Sequence, residues 1–252
     1  MDETLREAAD LVATAERVVI FTGAGISAES GVPTFREALT GLWERFDAAK
    51  LATPEAFDED PALVWGWYEW RRALALTVAP NPGHIAATEI LADAGHATLI
   101  TQNVDDLHER AGATGVLHLH GSLFTPRCSA CARPAALSPA PDGEPGRITP
   151  PPCDRCGAPI RPGVVWFGEA LPTDGLEEAV EAAANADVLI SVGTSGLVYP
   201  AAEIPQVTAR MGGAVIQVNP EPTPLDPVAR VNLRGPSAEI LPALLRQSRP
   251  ST

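Results

Sequence analysis

The chain has 252 residues, 45% of them hydrophobic, and a formal net charge of -14. That length suits one large domain, or one domain carrying a small insert. The acidic balance argues against a general nucleic-acid binder, which needs a basic face, and no apolar run approaches the roughly 20 residues that span a bilayer.

The first residues, Met1 to Arg6, are charged and lack the apolar core of a signal peptide, so a cytoplasmic location is expected. Residues 2–15 predict an amphipathic helix, with Leu5, Ala8, Ala9 and Val12 at helical spacing. Residues 17–21 predict a strand whose consecutive apolar residues suit burial on both faces, the habit of a parallel strand. It turns through Gly23-Ala24-Gly25 into a helix. Gly23, Gly25 and Ala28 match the strand–turn–helix pattern that holds a dinucleotide pyrophosphate. The first glycine permits the tight turn, the second admits the phosphates, and the helix start offers N–H groups. A hydride-transfer domain would soon give a second strand ending in an acidic residue. Here Gly31-Val32-Pro33-Thr34-Phe35-Arg36 and a polar stretch follow instead.

Residues 60–78 predict an aromatic-rich helix, and residues 84–94 another. A buried strand at 97–101 ends in Gln102-Asn103-Val104-Asp105, where open α/β sheets place ligand groups. Asn103 and Asp105 would serve equally as helix caps. A short strand at 116–121 carries His118 and His120, which share a face. Either imidazole suits proton transfer near neutrality, and spacing does not choose between them.

The four cysteines form two Cys-x-x-Cys pairs, Cys128 with Cys131 and Cys153 with Cys156, separated by 21 residues. In a reducing compartment this reads as a four-thiolate zinc site. With four thiolates no position stays open for a catalytic water, so one structural zinc is expected. The Pro- and Ala-rich stretch 134–152 between the pairs predicts a loop.

A helix at 174–186, a strand at 187–193, a helix at 199–211, strands at 214–219 and 231–234, and a helix from Ser237 complete the chain. The alternation implies the α/β class, with a doubly wound parallel, Rossmann-like sheet. Residues 1–126 and 163–252 would form the nucleotide-binding domain and 127–162 a small inserted zinc lobe.

Several blocks occur in one order along nearly the whole chain. They are Gly23-Ala24-Gly25-Ile26-Ser27, Gly31 to Arg36, Thr101 to His108, His120-Gly121-Ser122, the four cysteines, Val165 to Glu169, Gly193-Thr194-Ser195 and Asn219-Pro220-Glu221. In these the chain resembles the sirtuins, NAD-dependent protein-lysine deacylases. The resemblance implies that the acyl-lysine oxygen attacks the nicotinamide-bearing ribose carbon, nicotinamide leaves, and the acyl group ends on ADP-ribose. It selects His120 over His118 as general base. It assigns Asn103 and Asp105 to the ribose-side water and the nicotinamide carboxamide, Phe35 to shielding the sugar, and Arg36 to organising its loop. Thr34, Gln102 and Val104 join the NAD site by the same resemblance. So do Gly193, Thr194 and Ser195 at a second strand-end turn, Asn219, Pro220 and Glu221 by the adenosine ribose, and Ser237 by the adenine. Glu37 departs from the small residue usual after the arginine, which affects local contacts including those of Trp43.

Tyr68 and Arg71 are three apart and share a face if residues 60–78 are helical. A phenol beside a guanidinium can hold a carboxylate. Arg72, four from Tyr68, has equal geometric claim; the pattern Tyr-x-x-Arg resembles class III sirtuins and picks Arg71. The resemblance implies succinyl- and malonyl-lysine substrates, with the 35–80 segment forming the acyl pocket. Val165 and Phe167 would receive an extended peptide by strand addition. The partners expected are acylated-lysine proteins, with no nucleic acid or membrane, and the chain is expected to be a monomer. Competing readings are a deacetylase without acidic-acyl preference, an NAD-dependent ADP-ribosyltransferase, a non-catalytic NAD-sensing module and a nicotinamide oxidoreductase.

Overall fold

Five of the six residues of β1 (Arg17–Thr22) are buried without alternation, because helices cover both faces of this strand. The fold is seen in a computed structural model that describes residues 2–34, 47–140 and 146–249. Before β1 lies α1 (Asp2–Thr14), and after it come α2 (Ala24–Ala28), α3 (Ala48–Leu51), α4 (Pro54–Glu59), α5 (Pro61–Thr77) and α6 (Pro82–Asp93). Next are β2 (His96–Thr101), α7 (Leu107–Arg110), β3 (Leu117–His118), β4 (Gly121–Cys128) and β5 (Ile160–Val164). The chain ends with α8 (Thr173–Asn185), β6 (Val188–Val192), α9 (Ile204–Arg210), β7 (Ala214–Val218), β8 (Val231–Leu233) and α10 (Ser237–Ser248).

The large sheet runs β3-β2-β1-β6-β7-β8, with every pair parallel. Its first three strands therefore run outward in one direction and its last three in the other. The connection reverses between β1 and β6, and in such sheets ligands bind beyond the carboxyl ends at that switch. Alternate residues of β1 feed two cores. Val18 and Ile20 pack with α1, α6 and α10 on one face. Val19 and Phe21 pack with Ala179 and Ala183 of α8 and Ile204 of α9 on the other.

The α/β class and the doubly wound parallel sheet agree with the sequence reading, and two elements differ from it. The strand expected at 116–121 is only Leu117–His118; Leu119 and His120 form a turn, and Gly121, at φ +73°, starts β4 in a separate sheet. The helix expected at 199–211 is a 3₁₀ turn at Ala201–Glu203 followed by α9. Pro205 sits in the first turn of α9, where its missing N–H costs nothing, so the α-helix begins there.

The second, antiparallel sheet is β4 with β5. Its core is shared with α3 to α5: Phe57, Trp67 and Tyr68 pack with Leu123, Val164 and Trp166. Trp65 of α5 packs on Cys128, Cys153 and Ile160. A Cβ at Gly66 would lie 2.0 Å from the Gly146 carbonyl oxygen, so glycine is what lets the loop between the cysteine pairs rest on α5.

Gly193 has φ +61°, and a Cβ there would lie 2.5 Å from the Ile26 nitrogen. Gly193→Ala is expected to lower unfolding free energy by more than about 2 kcal/mol. Gly175 is helical with nothing within 4 Å of its Cβ position, and Gly175→Ala is expected to be neutral or stabilising by up to about 1 kcal/mol. Urea unfolding of both variants checks the pair.

Candidate active site

A cavity of about 540 Å³ opens at the switch between β1 and β6 and extends to the second sheet. Ala24, Gly25, Gln102, Asn103, Val104, Asp105, Gly193, Thr194, Ser195, Asn219 and Glu221 line its strand-end side. Thr34 and His120 join them. Ala52, Tyr68, Arg71 and the segment Val164 to Glu169, with Val165 and Phe167, line the other side. Two glycine turns close the floor: the Gly25 N–H donates to the Gly193 carbonyl at 2.9 Å. A Cβ on Gly25 would lie 2.7 Å from the Gly193 Cα.

Partners separate the two histidines that spacing could not. His120 Nδ1 lies 3.0 Å from the Gln102 carbonyl oxygen, so this nitrogen carries the proton and Nε2 keeps its lone pair. Burial lowers the His120 pKa and favours the neutral ring. His118 has both nitrogens engaged, Nδ1 with the Asn103 carbonyl at 3.0 Å and Nε2 with Glu109 at 2.7 Å. Burial alone would lower its pKa, but Glu109 and the Asn103 carbonyl outweigh it and raise the value. The two acceptors at His118 favour its protonated form and tie it into a turn, and His120 has the form of a base.

Asn103 is buried, and its side-chain amide donates to Ser27 Oγ at 3.0 Å, so its amide oxygen faces away from that bond. Asp105 accepts the Leu107 N–H at 3.1 Å; burial raises its pKa, against that bond and one from Ser27. It thus bonds the first N–H of α7 from the position before the N-cap, Asp106, while lining the cavity. Behind them stand two buried histidines that the motifs did not single out as functional. His84 caps α6 together with Asn81 and lies 3.5 Å from Ser27 Oγ. His108 lies 2.9 Å from Thr22 Oγ1, and the two rings meet edge-on at 4.9 Å. Burial pushes His84 down to about 4 and His108 to about 3. Their signal was hydrophobic context: each sits on a helix among buried residues.

Tyr68 and Arg71 lie together on the cavity wall, with the Arg71 guanidinium carbon 5.8 Å from the Tyr68 ring centre and 5.2 Å from that of Trp67. Burial pushes the Tyr68 phenol up to about 12, with Arg71 pulling the other way. Burial lowers the Arg71 pKa, with Tyr68 and Asp105 opposing. Arg72 is spent elsewhere: it pairs with Glu69 at 2.6 and 3.1 Å and donates to the Ser138 carbonyl at 3.0 Å.

Gly23, Ala28, Pro220 and Ser237 do not line the cavity. Gly23 packs beneath it against Gly193 and Thr194. Ser237 sits at the start of α10, where its N–H and that of Ala238 donate to Glu29. Phe35, Arg36 and Trp43 lie outside the described residues. Residues 165–169 belong to neither sheet; the Val165 N–H donates to the His120 carbonyl and the Phe167 N–H to that of Ala52.

The Sγ atoms of Cys128, Cys131, Cys153 and Cys156 lie within 4.8 Å of one another. Two of the separations are 3.4 and 3.8 Å, too long for a disulfide and close to the edge of about 3.8 Å for a tetrahedron with zinc–sulfur bonds of about 2.3 Å. The N–H groups of Cys131 and Ala130 point at Cys128 Sγ, both at 3.4 Å, and draw its pKa down to about 6. The donor set fits one structural zinc.

The purified chain is expected to hold one zinc by atomic absorption. Stripping it with a strong chelator should lower the thermal midpoint by several degrees, because the lobe's core is built on the cysteines. A metal-free chain of equal stability would refute this. The buried histidines make a second prediction. Below about pH 6.5 the unfolded chain binds protons that folded His84 and His108 refuse, so stability falls as pH drops towards 4. The loss is on the order of 2 kcal/mol per histidine at pH 5. His118 acts oppositely: its contribution is present in acid and is lost as pH rises through its folded value. His84 and His108 should remain neutral at pH 5 by NMR titration of the ring protons.

The Sir2 family model matches residues 23–200. The NAD-dependent protein deacylase of Methylococcus capsulatus is 56% identical over 242 residues, 94% of this chain and 95% of that one. NAD-dependent protein deacylase 1 of Pseudomonas aeruginosa is 56% identical over 98% of this chain and all of its own. Among solved structures, that of a Sir2 homolog–NAD complex is 46% identical, with a TM-score of 0.90 over 96% of this chain and 93% of that one. With that match, and relatives so similar over nearly the whole length, the chain belongs to the Sir2 family.

Proposed function

We propose that this chain, an NAD-dependent protein-lysine deacylase, prefers acyl groups that end in a carboxylate, succinyl and malonyl above acetyl. The observation that carries the preference is buried Tyr68 beside half-buried Arg71 on the cavity wall, while Arg72 is committed to Glu69 and Ser138. A carboxylate between a phenol and a guanidinium gains charge-assisted hydrogen bonds in a poorly solvated place. An acetyl group offers these two residues nothing to bond.

The glycine turns at Gly25 and Gly193, with Gln102, Asn103, Asp105, Thr194, Ser195, Asn219 and Glu221, form a donor and acceptor set that fits a dinucleotide. Bound NAD would supply the ribose carbon that loses nicotinamide and accepts the acyl oxygen. His120 Nε2 would take a ribose hydroxyl proton, since its Nδ1 proton is held by Gln102. Asn103, with its amide nitrogen turned to Ser27, would present its oxygen to the ribose side or to a water. Asp105 would receive the carboxamide. Val165 and Phe167 would line the path of the substrate lysine. Phe35, Arg36, Trp43, Gly23, Ala28, Pro220 and Ser237 keep the places in the NAD site that the family pattern suggests. The same reading holds that the chain works in the cytoplasm as a monomer on acylated-lysine proteins. Among the described residues no helix is long and apolar enough to cross a membrane.

Mass spectrometry of succinyl-lysine and acetyl-lysine peptides, with and without NAD, is the test. Faster NAD-dependent loss of succinyl, with O-succinyl-ADP-ribose formed, is expected. Equal or faster loss of acetyl would sink the preference, and mass gained by an acceptor would mean ADP-ribosyl transfer. Arg71→Met should cut desuccinylation at least about 100-fold and deacetylation much less, because the lost guanidinium leaves a buried carboxylate unpaired.

A further inference from the structure

Trp166 is 3% exposed and lines the cavity with Tyr68 and Arg71. Its indole is fixed from both sides. The Arg161 guanidinium carbon lies 3.4 Å from the ring centre, and the Phe57 ring lies at 5.3 Å. Arg161 is held in turn by two bonds to Glu169, at 2.6 and 2.9 Å, and one to the Val164 carbonyl at 3.1 Å. Glu169 also accepts the Trp166 backbone N–H at 2.8 Å. The ring cannot swing without disturbing this clasp.

Within this fixed frame the indole Nε1–H is buried with no partner at full hydrogen-bonding geometry among the described residues. Packing does not call for that atom. A phenylalanine would stack on Arg161 and Phe57 without leaving a desolvated donor. The neighbouring polar group is Tyr68, whose ring centre lies 6.5 Å away at 41°. Burial raises the pKa of that phenol, and the pull of Trp166 on it runs the other way, alongside that of Arg71. A hydroxyl has one proton and two lone pairs, and a donor held against its oxygen decides where the proton points.

We propose that Trp166 is a specificity-determining positioning residue: its indole N–H engages the Tyr68 hydroxyl oxygen and turns the hydroxyl proton towards the acyl carboxylate beside Arg71. This rests on the acidic-acyl reading above. The phenol stays protonated throughout, so it donates to the carboxylate and never competes with it as an anion.

The test is Trp166→Phe, which keeps an aromatic face for Arg161 and Phe57. KM for a succinyl-lysine peptide should rise about tenfold and that for acetyl-lysine less than about twofold. In a Tyr68→Phe background the same change should add less than about twofold, because the two residues act as one unit. A readout independent of turnover is the indole region of a ¹H–¹⁵N spectrum. The chain has five tryptophans, and the signal missing in Trp166→Phe should shift in Tyr68→Phe. Equal losses on both acyl groups, additive effects in the double variant, or an unmoved indole signal would each overturn the role of Trp166. A wild-type protein with no preference for succinyl-lysine would instead overturn the reading of the pocket itself, and the specificity role with it.

Discussion

Everything at the cavity hangs on the approach of two backbone turns, after β1 and after β6. The Gly23 N–H reaches the Val192 carbonyl at 2.9 Å, the Gly25 N–H reaches that of Gly193, and the Gly193 N–H reaches that of Val218. These bonds continue the sheet past the ends of its strands. They lock the carboxyl ends of β1, β6 and β7 into one rim. Only residues without a Cβ permit the approach, which explains why Gly23, Gly25 and Gly193 sit in these turns. The cavity then follows from topology, because the chain leaves the rim in opposite directions on the two sides of the β1–β6 boundary.

Helix α5 joins that rim to the cysteine lobe. Trp65 packs on Cys128 and Cys153, and Arg72 reaches the Ser138 carbonyl. Tyr68 and Arg71, on the same helix, line the cavity. The two functions of the helix are separated by rotation about its axis, and they share one rigid backbone. The cysteine cluster and the cavity wall are thus tied to one helix.

Period and punctuation made the large sheet legible. The unbroken apolar run of β1 and the regular alternation of strands with helices leave few other arrangements. The four-cysteine cluster was legible for the same reason, since thiolate spacing is local. The pairs His118/His120 and Arg71/Arg72 could not be resolved locally. Within each pair the residues have the same chemistry and near-equal spacing; what divides them is the partner each meets. Glu109 takes His118 and Glu69 takes Arg72. A structural role suits a lone histidine such as His84, but the contacts of His84 and His108 were opaque for a related reason. A buried neutral imidazole has no spacing signature, and it matters here because Thr22 and Ser27 come to these rings from β1 and α2.

The proposed preference for anionic acyl groups poses an electrostatic question in an acidic chain, and length scales answer it. At physiological ionic strength, charges more than about 8 Å apart through solvent are largely screened, so the net charge of -14 weakly opposes approach. Inside the cavity, screening by salt is lost and the nearest charge dominates. Arg71 is that charge. Asp105 is close enough to favour its ionised form, yet burial also pushes the Asp105 carboxyl towards protonation. A bound acyl chain would add to the desolvation that already raises the Asp105 pKa. On the proposed function, the near guanidinium therefore outweighs the screened net charge, so a protein of this charge could select a substrate of the same sign.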